Sequence, residues 1–169
     1  MNIFFLDKTP EKIAEYHCDK HIVKMILETA QMLCSAYKKH YIVDDDLYKI
    51  AHPKHPMTLW VGQSHMNFKF ALDLLKSLSN EYTKRYGKVH KSIKIYDLFK
   101  TKYTRWHSWD GCLTTPPQCM PDEYKHNDYV VAYRNYYKGA KKYFAKWNKL
   151  NNIPEWWEDK WKVWITLLN

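Results

Sequence analysis

The stretch EYHCDKHIVKMILETAQ, residues 15–31, decides the fold class of this chain. Its apolar side chains recur at helical spacing and, with the next turn, share one face: Ile22, Ile26, Ala30 and Leu33. The helical pattern extends from Pro10 to about Tyr37. It leaves room for a break at Cys18-Asp19, where Asp19 is a candidate cap for a second, longer helix.

A line of polar side chains runs along the same stretch, opposite the apolar face. Its members follow the progression i, i+4, i+7, i+11, i+14: His17, His21, Lys24, Glu28 and Gln31. Such a line is either a solvated helix face or the wall of a site. Because it carries every group needed for proton transfer and anion contact, both interpretations stay open.

Start and stop signals mark further helices outward from this stretch. Thr9-Pro10-Glu11 is a typical helix start, and a pattern beginning at Pro56 ends at Tyr86, before Gly87 and with a kink or division at Gly62. Shorter patterns cover residues 92–100 and residues 128–150. The last has an apolar stripe made of Tyr133, Tyr137, Ala140, Phe144 and Trp147.

The sequence predicts an all-α fold, one compact helical domain over residues 1–169. Residues 2–6, NIFFL, are expected to be buried, and residues 101–127 form a long loop with tryptophans and a Pro-Pro pair. Long irregular loops in compact domains are usually functional or disordered, and the tryptophans favour order. The tryptophan-rich tail, with Trp156, Trp157, Trp161 and Trp164, is expected to pack on the core.

Composition narrows the class of protein. Hydrophobic residues make up 46% and aromatic residues 17% of the chain, which excludes a disordered protein. The formal net charge of +9 points to a polyanionic partner, with nucleic acid ahead of a membrane surface. The four cysteines are scattered, and the sequence has neither a signal peptide nor an apolar run of membrane-spanning length. We expect a cytoplasmic, reduced, monomeric protein without a membrane partner.

Two groups outside the polar line are candidates for binding a nucleic acid. A basic stripe lies on the last predicted helix, and the loop interleaves cations with flat rings that suit base stacking and phosphate contact. Their members are Arg134, Lys138, Lys141 and Lys142 on the helix, and Lys102, Tyr103, Arg105, Trp106, His107 and Trp109 in the loop. The alternatives are an ordinary solvated helix face and core tryptophans.

The spacing of His17 and His21 also suits two metal ligands one turn apart. A third ligand would have to come from Glu28, Cys112 or Cys119, and the sequence has no H-E-x-x-H motif. Phosphate-binding glycine loops and a serine-hydrolase elbow are absent as well. No metal and no cofactor are therefore expected, although a metal-dependent hydrolase stays an alternative.

Two segments resemble the phage-type pyrimidine-dimer DNA glycosylases of the endonuclease V type. CDKHIVKMILE, residues 18–28, is similar to that family's first helix. There an Asp-Gln-His triplet is followed, seven residues after its histidine, by the catalytic glutamate, and His21 and Glu28 have the same separation here. GQSHMNFKFALDLLKSLSNEYTKRYG, residues 62–87, resembles the long helix that opens with glycine, histidine and aromatics, here Gly62, His65, Phe68 and Phe70. The resemblance covers about half of the chain.

The resemblance implies an all-helical protein that kinks duplex DNA and excises a base. The N-terminal α-amine attacks sugar C1′ to give a Schiff base, which is sensible because an α-amine, with a reference pKa of about 8, is neutral more often than a lysine. The amine would belong to Met1, or to Asn2 if Met1 is removed. Glu28 would polarise the sugar and stabilise the cationic intermediate, with His21 beside it toward the phosphate. The family's arginines near the glutamate are not matched, and Lys24 is the cation on that face.

We therefore predict a DNA glycosylase with associated lyase activity, a base-excision repair enzyme acting on a damaged or modified base flipped out of double-stranded DNA. The predicted catalytic residues are Glu28, Met1, Asn2 and His21. The predicted substrate-binding residues are His17, Lys20, Lys24, Gln31, His65, Lys102, Arg105, Trp106, Trp109, Arg134, Lys138 and Lys141. The alternatives are a metal-dependent nuclease or hydrolase that uses His17, His21 and Glu28, and a non-catalytic nucleic-acid-binding protein.

Overall fold

The computed structural model describes residues 1–43 and 45–158, and this part of the chain is helical and without strands. Six α-helices follow one another: α1 (Pro10–Tyr16), α2 (Asp19–Lys38), α3 (Pro56–Val61), α4 (His65–Tyr86), α5 (Ile93–Thr101) and α6 (Tyr129–Ala140). Helix α4 packs against both α1 and α2, and α3 and α5 close the sides of this arrangement. The predicted all-α fold is confirmed.

Local sequence signals account for most helix boundaries. Helix α1 has Pro10 in its first turn, and α2 starts anew at Asp19 after the expected break. Gly62 ends α3, so the long pattern divides into two helices, and Gly87 ends α4 with φ of 65°. That left-handed backbone conformation is the usual helix stop and favours glycine.

One prediction about helix extent was wrong. Helix α6 begins after the Asp128 cap but ends at Ala140, so Phe144 and Trp147 do not continue a helical stripe. Trp147 is nevertheless buried, since its indole nitrogen donates to the Tyr16 carbonyl over 3.1 Å. The loop over residues 101–127 is ordered by two short 3₁₀ helices, Thr104–Ser108 and Asp122–Tyr124. Of the tail tryptophans, Trp156 and Trp157 pack against the core, and Trp161 and Trp164 lie outside the described residues.

The N-terminal segment runs through the core. Ile3, Phe4, Phe5 and Leu6 are at most 5% exposed, which confirms the expected burial of residues 2–6. The Phe5 ring stacks on Phe70 of α4 and meets Trp60 of α3 edge-on. Burying these side chains contributes about 1.5–3 kcal/mol each, so the position of the first residue is held by the packing of the next five.

A buried arginine joins the end of α4 to the junction of α1 and α2. The Arg85 guanidinium is fully buried and donates to the carboxylates of Glu81 and Asp19 at 2.8 and 3.1 Å. It also donates to the carbonyls of His17 and Glu15 at 2.7 and 2.9 Å. We call Arg85, Glu81 and Asp19 the arginine cluster; it fixes where α2 begins.

Candidate active site

The first residues of the chain meet the middle of α2 at the Glu28 carboxylate. The Met1 amine lies 3.6 Å from Glu28 Oε2, and the Asn2 backbone N–H donates to the same oxygen over 3.1 Å. The other oxygen, Oε1, lies 3.4 Å from Nζ of Lys24, one turn back on α2. The Glu28 side chain is 12% exposed, so this carboxylate lies at the edge of the interior and still reaches solvent.

The Met1 side chain holds the amine in place. It is 3% exposed, and its sulfur accepts a hydrogen bond from the Thr58 hydroxyl of α3 over 3.6 Å. The Asn2 nitrogen also lies within hydrogen-bond distance of Glu28. The N-terminal amine would therefore face this carboxylate whether it belongs to Met1 or, after removal of Met1, to Asn2.

Asn2 is anchored by the second half of the long loop. Its side-chain amide donates to the Cys119 carbonyl over 3.0 Å, and the Tyr133 hydroxyl lies 3.2 Å from its oxygen. The same hydroxyl donates to the Pro117 carbonyl over 2.8 Å. Residues 117–119 and α6 therefore hold the N-terminal segment from the side opposite α2.

A surface cavity of about 500 Å³ opens on α3 and this loop. Pro56 and Leu59, which flank Thr58 on α3, line it together with Trp60, Gln63 and Pro117. Ligand sites in proteins commonly have volumes of about 300–1,000 Å³. Met1, Asn2 and Glu28 are not among the residues that line it.

The two histidines of the predicted polar line lie on different helical elements. His17 caps the end of α1, is 1% exposed, and its Nδ1 lies 2.6 Å from the Ile13 carbonyl. His21 belongs to α2, is 5% exposed and lies among the rings of Phe4, Tyr137 and Phe144. The prediction of one continuous polar helix face is wrong, because the helical conformation is interrupted at Cys18 and because aromatic side chains cover the first turn of α2.

Burial keeps both imidazoles neutral. It lowers the pKa of His17 to about 4, with the nearby Arg85 acting in the same direction. Burial also lowers the pKa of His21 to about 2, assisted by His17 and by the ammonium groups of Lys141, Lys24 and Lys20. In this fold both rings are buried and neutral at neutral pH, so His21 is not exposed as a cation toward a phosphate.

Three lysines surround the covered His21 ring from the solvent side. Lys20 Nζ lies 5.1 Å from the centre of the Phe144 ring, and Lys141 Nζ lies 4.7 Å from that of Tyr136. Lys24 follows Lys20 by one turn and pairs with Glu28, with Gln31 half-buried one turn beyond. Lys20, Lys24 and Lys141 thus lie together around His21, with Lys24 next to Glu28, and we call these three lysines the lysine approach.

Other predicted substrate-binding residues lie elsewhere. Lys102 pairs with Asp46 at 2.7 Å, Arg105 lies over the Tyr41 ring, and Trp109 donates to the Tyr41 hydroxyl. This group packs near Tyr37, which is roughly 13 Å along α2 from Glu28 at 1.5 Å per residue.

Trp106 is 1% exposed, and its indole nitrogen donates to the Phe99 carbonyl. It is a core residue and cannot stack on a base without leaving the core.

Three more of the predicted residues are separated in the same way. Arg134 donates to the Leu6 carbonyl over 2.8 Å and lies 3.4 Å from Asp7, so it ties α6 to the N-terminal segment. His65 starts α4 with its ring against Trp106. Lys138 lines a separate surface cavity of about 310 Å³ with Lys142 and Trp157.

The sequence patterns missed His55 and Thr58 of α3. His55 lies just before Pro56, and its Nδ1 accepts the Met57 backbone N–H over 3.2 Å. Burial lowers the pKa of His55, the N-terminal amine and His52 lower it further, and Glu28 acts in the opposite direction. The His-Pro pair indicates where α3 begins, but nothing in the sequence shows that this helix start lies near residue 1.

Within the described part of the chain, no group of three or more His, Cys, Asp or Glu side chains is arranged to hold a metal ion. The same residues contain no helix that is long and apolar enough to cross a membrane. Comparisons with known protein families, curated proteins and solved structures find no match to this chain.

Proposed function

We propose that this protein is a DNA glycosylase with associated lyase activity, using its N-terminal amine as the nucleophile and Glu28 as the catalytic carboxylate. The observation that carries the proposal is the 3.6 Å separation between the Met1 amine and Glu28 Oε2. These groups are 27 positions apart in the sequence, and a buried N-terminal segment brings them together at the edge of the interior.

The chemistry requires an amine that gives up a proton and a carboxylate that takes it. Glu28 lies where it could accept that proton directly or through one water. The freed lone pair attacks C1′ of the damaged nucleotide, the bond from C1′ to the base breaks, and its electron pair leaves with the base. The nitrogen then loses a second proton to water, and the sugar ring opens as O4′ takes the proton that Glu28 holds. This gives the imine, whose protonated form the carboxylate stabilises.

Charge around the site supports a nucleic acid as the substrate. The lysine approach supplies three ammonium groups near His21, and one of them, that of Lys24, lies 3.4 Å from the little-exposed Glu28 carboxylate. Lysines positioned in this way contact phosphates without selecting sequence. The overall charge of +9 favours the same partner.

Borohydride trapping tests the proposal. Duplexes with a thymine dimer or an abasic site are mixed with the protein and borohydride, and we expect a covalent protein–DNA adduct in the presence of EDTA. Glu28→Gln should slow adduct formation by about 10²–10⁴-fold, the usual contribution of general acid–base catalysis. Glu11→Gln, which changes an exposed carboxylate on α1, is the matched control and should trap at the wild-type rate.

A short peptide added before Met1 converts the α-amine into an amide and should abolish trapping. The same peptide at the C-terminus is the control. No adduct on either duplex, or an adduct that persists after the N-terminal extension, would overturn the amine as nucleophile. Loss of activity in EDTA would instead favour the metal-dependent hydrolase.

A further inference from the structure

His55, His90 and His126 make the same local hydrogen bond. In each, Nδ1 accepts the backbone N–H two residues later, from Met57, Ser92 and Asp128 at 3.2, 3.2 and 3.0 Å. An imidazole whose Nδ1 accepts carries its proton on Nε2 when it is neutral. All three rings can therefore offer an Nε2–H donor and have no second free acceptor nitrogen.

His55 differs from the other two in what it faces. It lies one turn before Thr58, whose hydroxyl contacts the Met1 sulfur at 3.6 Å, so this side of α3 packs against the first residue of the chain. The ring is half-buried and feels both the N-terminal amine and Glu28. For His90, by contrast, burial is the cause that lowers the pKa.

The surroundings of His55 keep its ring neutral. Burial and the neighbouring amine both disfavour a second proton, so His55 carries a neutral N–H donor at the start of α3, the helix that packs against Met1. Such a donor suits a position where negative charge develops, because it stabilises that charge without giving up its proton.

We propose that His55 Nε2–H binds the departing base at the acceptor atom next to the glycosidic bond, which is O2 of a pyrimidine or N3 of a purine. This inference rests on the proposed function. When the bond from C1′ to the base breaks, the electron pair goes to the base and the hydrogen bond from His55 stabilises it. The base then takes a proton from water, and His55 is unchanged.

Two variants of His55 separate its two hydrogen bonds. His55→Asn keeps an oxygen where Nδ1 was, preserving the bond from Met57, and removes the distal donor. His55→Gln places an amide N–H near the position of Nε2 and loses the Nδ1 acceptor. His90→Asn is the matched control, because it makes the same change at the same local motif away from Met1 and Glu28.

Each variant is assayed in single turnover on two duplexes, one with a thymine dimer and one with a preformed abasic site. A thymine cut from its sugar stays attached to the other thymine of the dimer, so base release is measured as breakage of the glycosidic bond, read as strand cleavage after alkali. His55→Asn should release base about 10²-fold more slowly, the usual loss for one such donor, and should trap the abasic site at the wild-type rate. His55→Gln should recover base release to within about tenfold of wild type. His90→Asn should match wild type on both duplexes, and thermal unfolding should show that all variants fold.

Equal slowing of His55→Asn on both duplexes would place the residue in imine formation and overturn this role. Unchanged base release would remove His55 from the reaction while leaving the amine and Glu28 untouched. A wild-type protein that traps the abasic site but releases no base would also overturn the role of His55, although imine formation would stand. A wild-type protein that traps neither duplex would overturn the proposed function itself.

Discussion

The arginine cluster and the Glu28 site both hold carboxylates at the edge of the interior, but their partners differ. In the arginine cluster, one fully buried guanidinium donates to two carboxylates and two carbonyls at 2.7–3.1 Å. At Glu28, the cations lie 3.4 and 3.6 Å away, and one of them is the 65% exposed Lys24.

This difference in hydrogen-bond partners distinguishes a structural cluster from a candidate active site. Each guanidinium nitrogen of Arg85 donates to a carboxylate or carbonyl oxygen of the protein, so a ligand would have to displace one of these hydrogen bonds. The Glu28 carboxylate has one hydrogen bond from Asn2 and two longer cation contacts, one of which solvent can reach. A carboxylate held in place but incompletely bonded can exchange protons with a substrate.

The largest effect expected on stability comes from breaking the arginine cluster. Arg85→Met removes the cation and leaves Glu81 and Asp19 without their partner, which should lower the free energy of unfolding by about 3–5 kcal/mol. Arg105→Met, at an exposed arginine over the Tyr41 ring, should cost less than about 1 kcal/mol. Urea unfolding measures both. A loss below about 1 kcal/mol for Arg85→Met would show that the cluster does not fix the α1–α2 junction.

The pH dependence of the free energy of unfolding tests both regions through the two buried histidines. His17 lies next to the arginine cluster, and His21 lies next to the lysine approach. Their pKa values are about 4 and about 2 in the fold, against about 6.5 in an unfolded chain. Below pH 6.5 the unfolded state binds protons that the folded state does not. Stability therefore falls as the pH falls from about 6.5, down to about 4 for the contribution of His17 and down to about 2 for that of His21. Each histidine should contribute about 2 kcal/mol of loss by pH 5.

Chemical unfolding between pH 7 and pH 5 measures this slope. His21→Phe, which replaces the imidazole by a phenyl ring in an aromatic environment, should remove about 2 kcal/mol of this loss. A His21→Phe slope equal to that of wild type would mean that the His21 ring takes up a proton in the fold.

The smallest effect is expected at Lys24. Lys24→Gln should change the free energy of unfolding by less than about 1 kcal/mol, since an exposed pair one turn apart is weak. It should, however, weaken DNA binding and reduce the slope of log K against log salt by about 1, as expected for one lost phosphate contact. Lys69→Gln breaks a similar pair with Asp73 on α4 and is the control, for which the slope should stay at the wild-type value.

Local signals predicted the helices well. Proline in the first turn, the Asp128 cap and Gly87 act through neighbouring backbone groups, and their positions match the observed ends. The end of α6 was missed because apolar spacing continues through Phe144 and Trp147, whose side chains are covered by other parts of the chain instead of by a helix face. Likewise, His17 and His21 have the spacing of one helical turn, but the interruption of the helix at Cys18 places them on different elements.

The sequence by itself determined the helical class, the burial of residues 2–6 and the candidacy of Glu28, because these depend on side-chain spacing along a short stretch of chain. Only the tertiary structure decided that Met1 and Glu28 meet, that Trp106 is a core residue and that Arg134 binds the N-terminal segment. Such meetings depend on how α2, α3, α6 and the loop pack around the N-terminal segment. Packing among elements distant in sequence leaves no periodic trace in the residues that it brings together.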